Sequence, residues 1–170
     1  MKVKTCTTAD IGELVRVSTQ SYNEHYTYLW LDKGEGYVRN NFNFDKLYSE
    51  MSDANSVFFL VYDGENPVGM IKLNIDKGIG DFSADAALEL ERIYFVKEAS
   101  GKGFGKEAID FVANFARERG KVVVWLKTMD SSAALEFYKK RGFQIIGESK
   151  VTFANIIDAF SGMRVMVLHL

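Results

Sequence analysis

The sequence predicts one α/β domain built on a mixed, mostly antiparallel sheet, and three stretches carry that prediction. "SVFFLVYDGENPVGMIKLNI" (Ser56–Ile75) is two β-rich runs around Asp63-Gly64-Glu65-Asn66, the signature of an antiparallel hairpin. In "ALELERIYFV", Leu88, Leu90, Arg92, Tyr94 and Val96 alternate with Glu89, Glu91, Ile93 and Phe95, which is strand periodicity. "KVVVWLKT" (Lys121–Thr128) is a short apolar strand separated from it by a helical pattern, so the two strands should run parallel.

The remaining elements follow in order. "KVKTCT" reads as a short strand. Thr8 or Asp10 then caps a helix on which Ile11, Leu14, Val15 and Val17 follow helical spacing. Residues 21–51 are rich in aromatics and weakly periodic, and read as one or two short helices with loops between them. "DKGIGDFSADA" is a polar loop leading into the alternating strand. After it, Ala108, Ile109, Val112, Phe115 and Ala116 mark one face of a helix that stops near Gly120. Asp130 or Ser131 caps a second helix, with Ala134, Leu135 and Tyr138 on one side, that ends at Gly142. "FQIIGESKVTF" and "MRVMVLHL" supply closing strands, so the order is hairpin, then strand–helix–strand–helix–strand.

Composition narrows the function. A chain of 170 residues with 47% hydrophobic and 26% charged residues fits one domain, 1–170, with a sizeable core. A net charge of −2 without a basic block disfavours nucleic acid as a partner. Two histidines and one cysteine are too few for a structural zinc site, so no metal is expected. Cys6 reads as a small first-strand residue in a reducing cytoplasm, with no histidine recognisably placed to activate it. No run is long enough to span a bilayer, and "MKVKTCTTAD" lacks the apolar stretch of a signal peptide. The oligomeric state is not fixed by the sequence, a homodimer being one option.

Between the alternating strand and the next helix lies "VKEASGKGFGKEAIDFV", with glycines at 101, 103 and 105. It is not a P-loop: Ser100 stands where the first glycine belongs and Glu107 where Ser or Thr should follow Gly105-Lys106. It is not the dinucleotide fingerprint either, because Lys106 occupies the third glycine position. Two readings stay open for the loop. Backbone N–H groups at a helix start, with Lys102 and Lys106 nearby, suit an anion such as phosphate. A tight turn needing positive φ and holding no ligand explains the glycines equally well.

Leu88–Phe143 resembles the core of the GCN5-related N-acetyltransferase (GNAT) superfamily. Its motif Arg/Gln-x-x-Gly-x-Gly/Ala is met at Gly103 and Gly105, with Ser100 where Arg or Gln is usual. Its second motif, Asn-x-x-Ala-x-x-x-Tyr-x-x-x-Gly-Phe, is met by Ala134, Tyr138, Gly142 and Phe143, with Ser131 where Asn is usual. Over nearly the whole chain the sequence is similar to the bacterial spermidine/spermine N-acetyltransferases of the PaiA type, through "FFLVYDGENPVGMIKLNID", "LELERIYF" and "ALEFYKKRGF".

The resemblance implies a GNAT-like fold with a central splayed parallel strand pair flanked by helices, and acetyl-CoA as co-substrate. Its pyrophosphate would meet the amides of Gly101, Lys102, Gly103, Phe104, Gly105 and Lys106. Its pantetheine arm would lie along Ile93, Tyr94 and Phe95, with Ser131 and Tyr138 beside it. A primary amine, above all a polyamine, would attack the thioester directly. An alkylamine with a pKa of about 10.4 must first lose a proton, and Glu89 or Glu91 could take it, both read as facing the acceptor side. Either could instead be a salt-bridge partner. Phe95 N–H is the implied oxyanion donor and Tyr138 the acid that protonates the departing thiolate. Tyr22, Glu24, His25 and Tyr26 fall in the region that shapes acceptor pockets, and Asp76, Asp81 and Asp85 form a candidate acidic rim for a polycation. Ordinary solvated loop residues would look the same. A protein or peptide acceptor, and an acyl-CoA-binding module without turnover, are the alternatives.

Overall fold

The computed structural model describes all 170 residues. The strands are β1 Lys2–Thr5, β2 Ser56–Asp63, β3 Asn66–Asn74, β4 Ala87–Phe95, β5 Val123–Met129, β6 Gln144–Lys150 and β7 Gly162–His169. The helices are α1 Ile11–His25, α2 Glu35–Asn41, α3 Phe44–Met51, α4 Phe104–Arg117 and α5 Ala134–Lys140. One sheet in the order β1-β2-β3-β4-β5-β7-β6 contains all seven strands. Only β4 and β5 run parallel; every other neighbouring pair is antiparallel. The last strand does not add to the edge: β7 inserts between β5 and β6, so β6 is left outermost. No helix is long and apolar enough to cross a membrane.

The two faces of the hairpin strands are both buried, which is why β2 and β3 read as continuous apolar runs. Phe59, Val61, Ile71 and Leu73 pack against Ala108, Ile109, Val112 and Ala116 of α4. Phe58, Leu60 and Met70 point the other way, onto Ile11, Leu14 and Val17 of α1 and Leu47 of α3. Cys6 packs at the edge of this second cluster, and burial pushes its thiol up to about 12, the opposite of a nucleophile's environment.

Two helix starts differ from the sequence reading. The side chain of Asp10 accepts the Thr7 N–H (2.9 Å) and meets Lys4 Nζ at 2.5 Å, closing the short turn before α1 instead of capping the helix itself. Before α5 it is Ser132, not Asp130 or Ser131, whose hydroxyl accepts the Ala134 N–H, at 3.1 Å.

A β-bulge in β4 reorders the strand that matters most. Lys72 pairs with Arg92 and Leu73 with Leu90, so Glu91 has no partner on β3. The extra residue inverts the alternation beyond it. Leu88, Leu90, Ile93 and Phe95 therefore share the α4 face, while Arg92 and Tyr94 turn to the α1 side. The simple alternation read from the sequence holds up to Leu90 and fails after it.

Parallel pairing between β4 and β5 covers only Ala87–Glu89 with Val123–Trp125. Beyond that point the two strands diverge, leaving the edges of Leu90–Phe95 and Leu126–Met129 facing a gap. Val96 N–H donates to Val68 O at 2.9 Å. Strand alternation then turns the N–H of Phe95, like that of Ile93, away from β3 and into the gap.

Candidate active site

Two cavities meet where the strands splay. The larger, of about 830 Å³, is lined by Ile93, Tyr94 and Phe95, by Ser100, Gly101 and Gly103 to Lys106, and by Ser131 to Ala134, Phe137 and Tyr138. The smaller, of about 140 Å³, lies on the acceptor side and is lined mainly by aromatic and aliphatic side chains. Both are bordered by Tyr26, Ile93, Tyr94, Ala134 and Tyr138.

The glycine loop is shaped for something to approach its backbone. Gly101 and Gly103 have φ of 76° and 86°, where a side chain is strained. Gly103 precedes the first residue of α4, and the helical bonds resume with Glu107 N–H donating to Gly103 O at 3.2 Å. The amides ahead of it are the unpaired donors of a helix start, and Gly103 to Lys106 line the larger cavity. At Gly105 the constraint is different: a Cβ there would stand 3.2 Å from Phe137 Cζ, a tight contact that the Phe137 ring would have to relieve by shifting a few tenths of an ångström.

Lys102 departs from the expectation. Its ammonium bonds Asp63 Oδ2 in the hairpin turn at 3.0 Å and its own N–H donates to Ala99 O, so it faces the back of the loop. Lys106 is the lysine that lines the cavity. Ser131 does reach it, with its hydroxyl 3.5 Å from Tyr28 Oη.

Tyr138 is 7% exposed, with its ring between Phe137 and Phe143. Its hydroxyl has no hydrogen-bond partner within the protein, unlike a core tyrosine tied to the backbone, and the residue borders both cavities. Burial, with Tyr26 nearby, holds the phenol well above its ordinary value, so it stays protonated at neutral pH. Tyr26 is pushed up to about 12, chiefly by burial, and is the second phenol at the junction.

The two glutamates are brought together but not as equals. Asn74 Nδ2 donates to Glu89 Oε2 at 2.7 Å and to Glu91 Oε2 at 2.8 Å. Only Glu91 lines the acceptor cavity. It is also held by Lys72 Nζ at 2.7 Å and Arg92 Nη2 at 3.2 Å, a pairing between neighbours in sequence that the bulge permits. Glu89 lines neither cavity; burial, opposed by the Asn74 bond and reinforced by Glu91, raises its affinity for a proton. Beneath them Glu50 of α3 receives a bidentate bond from Arg92 (2.7 and 2.9 Å) and pairs with Lys72 at 3.0 Å. These partners outweigh burial and keep the Glu50 carboxyl below its usual range.

The acceptor-side expectations are corrected more heavily. Tyr22 and Tyr26 line the small cavity, and Tyr22 Oη accepts the Trp30 indole N–H at 2.9 Å. Glu24 does not line it; its carboxylate accepts Lys97 N–H at 2.6 Å and so pins α1 to the segment before the glycines. His25 borders the larger cavity. Asp76, Asp81 and Asp85 line neither cavity. They lie on the segment before β4, whose first residue Ala87 is six residues, roughly 20 Å at strand rise, from Ile93, and Asp76 is paired with Lys121.

Sequence reasoning missed the residues that close the small cavity: Trp30, Tyr37, Val151, Phe153 and Ile156. The segment between β6 and β7 folds over it. Leu31 N–H donates to Asn155 O and Ile157 N–H to Leu29 O, each at 2.9 Å, and Asn155 Nδ2 donates to Asp32 Oδ2 at 3.0 Å. No local pattern in either segment announces that they meet.

Comparison with known proteins adds to this geometry. A Lactobacillus delbrueckii protein described as an uncharacterized N-acetyltransferase is 34% identical over 114 residues, 66% of this chain and 65% of its own length, just under two thirds of that relative. Among solved structures, a PaiA N-acetyltransferase of Thermoplasma acidophilum in complex with coenzyme A is similar in fold, with a TM-score of 0.77 over all of both chains at 20% identity. A spermidine N-acetyltransferase SpeG mutant of Vibrio cholerae superposes with a TM-score of 0.71 over 99% of this chain and 92% of its own, at 17% identity. The family model of the acetyltransferase (GNAT) family matches residues 18–143, from α1 through the glycine loop to Phe143. The chain belongs to that family.

Proposed function

We propose that this protein is an N-acetyltransferase that moves the acetyl group of acetyl-CoA to a primary amine by direct attack. The observation that carries the reading is Tyr138, a residue that borders both cavities and whose hydroxyl is unbonded within the protein and held protonated by burial. The larger cavity fits the co-substrate. Its free helix-start amides and Lys106 suit a pyrophosphate, and the unpaired edge of β4 offers backbone groups to an extended amide-bearing arm. Acetyl-CoA supplies an activated acyl group on a thiol leaving group. In this reading Phe95 N–H, aimed into the gap, stabilises developing negative charge, and Tyr138 Oη holds the proton that the leaving sulfur needs.

On the acceptor side Glu91 is the carboxylate an incoming amine meets, and we assign it the proton. Its task is eased by its surroundings, because an ammonium entering an apolar cavity is destabilised relative to the neutral amine. Glu89 could act only through Glu91 or water. The finer expectation of a polyamine acceptor draws on the family resemblance alone; the likeness to the spermidine enzyme, at 17% identity, carries the fold and not the acceptor.

Thiol release from acetyl-CoA, followed with and without amines and checked by mass analysis of the amine product, tests the reading. Amine-dependent release with an acetylated product supports it. Tight acetyl-CoA binding without release for any amine would overturn it in favour of a binding module.

A further inference from the structure

We infer that the acceptor is a small monoamine with an apolar alkyl or aryl body, and not a polycation; this rests on the transferase reading above. The small cavity has an aromatic wall. Tyr22 and Tyr37 stack at 4.5 Å, and Tyr37 meets Trp30 at 5.2 Å and Phe153 at 5.6 Å. Such a wall takes a hydrophobic body, and its ring faces tolerate one ammonium passing over them.

The charges on the wall do not suit more than one. They are Glu91, Arg92 and Lys127, which sum to −1 + 1 + 1 = +1. Behind them Glu91 and Glu50 balance Lys72 and Arg92 in one paired network, so Lys127 is the charge left over. A spermidine molecule would therefore leave its additional ammonium groups desolvated with no uncompensated carboxylate to meet them and with Lys127 at the rim. The acidic loop that could have compensated lies at the far end of β4, outside both cavities. An extended polypeptide is disfavoured on separate grounds. The segment 151–157, hydrogen-bonded to residues 29–32, crosses above the cavity where an open groove would be needed.

The test measures acetyl-CoA thiol release with 2-phenylethylamine, hexylamine, spermidine and a Phe-initiated tripeptide, in the natural protein and in Lys127→Glu. In the natural protein kcat/KM for 2-phenylethylamine or hexylamine should exceed that for spermidine by roughly tenfold or more. Lys127→Glu turns the wall from +1 to −1 and should raise kcat/KM for spermidine by roughly fivefold, with a smaller change for the monoamines. Equal or better turnover of spermidine or of the tripeptide by the natural protein overturns the inference and leaves the transferase intact. So does a spermidine rate that ignores Lys127→Glu. Absence of turnover with every amine, while acetyl-CoA binds, overturns the transferase reading and this inference with it.

Discussion

Replacing Tyr138 by Phe removes one oxygen and leaves the ring between Phe137 and Phe143, 5.4 and 5.5 Å away. The lost hydroxyl had no partner within the protein, so the substitution orphans nothing. Its effect on stability should stay within about 1 kcal/mol of zero, a shift of no more than roughly 4 °C in Tm for a chain of this size. The catalytic consequence should be much larger. A positioned general acid contributes about 10²–10⁴ in rate, equivalent to roughly 3–5 kcal/mol of barrier. The phenol's raised affinity for its proton does not weaken the case, because a thiolate forming in the same apolar junction is also a stronger base than in water. Calorimetric titration with acetyl-CoA should give an unchanged or slightly altered Kd, since the ring that lines the cavity remains. Steady-state thiol release should then show kcat falling by at least about a hundredfold. A fall of less than about threefold, with binding intact, would refute the assignment of Tyr138 as proton donor.

Three further outcomes follow from the same geometry. Arg92→Met removes the bidentate partner of half-buried Glu50, which keeps Lys72 and Lys46; urea unfolding should show a loss of about 3 kcal/mol, and an unchanged midpoint would contradict the buried network. Gly103→Ala forces a side chain to φ 86° at the start of α4; it should cost about 1–2 kcal/mol of stability and weaken acetyl-CoA binding in the same titration. Glu89, whose folded form binds a proton more tightly than its ordinary 4.5, makes the protein bind more protons than the unfolded chain just above that pH. Stability should therefore decline as pH rises through that window, and Glu89→Gln should remove that part of the decline, as read from denaturant midpoints across the acid range.

The fold was legible where local chemistry and burial agree. The hairpin turn Asp63–Asn66, the apolar faces of α1 and α4 and the Gly142 stop all depend on near neighbours in sequence. The insertion of β7 between β5 and β6 was not legible, because it is a choice of which edge to join and leaves no mark on either strand's pattern. The bulge at Glu91 was hidden for a sharper reason. After Leu90 both sides of β4 carry large residues and Tyr94 and Phe95 are both aromatic, so Arg92, falling on the apolar face in a simple alternation, is the single mark the one-residue slip leaves.

The two halves of the site differ in legibility for the same reason. A surface that binds through backbone needs glycines at fixed spacing and a helix start, and sequence displays both; all the expected lining residues but Lys102 fall on the larger cavity. Lys102 failed because a lysine's reach is decided by its nearest carboxylate, here Asp63, 39 residues away. The acceptor cavity is assembled from side chains of α1, the aromatic segment before α2, β4, β5 and the stretch after β6, so no window of sequence contains it. Charge was the most misleading guide. Three aspartates close to β4 in sequence lie at the end away from the cavities, while the carboxylate that does line the acceptor cavity arrives with two cations already attached. An acidic residue attracts a cationic substrate only to the extent that the fold has left it uncompensated, and at Glu91 the bulge has spent that attraction on Lys72 and Arg92.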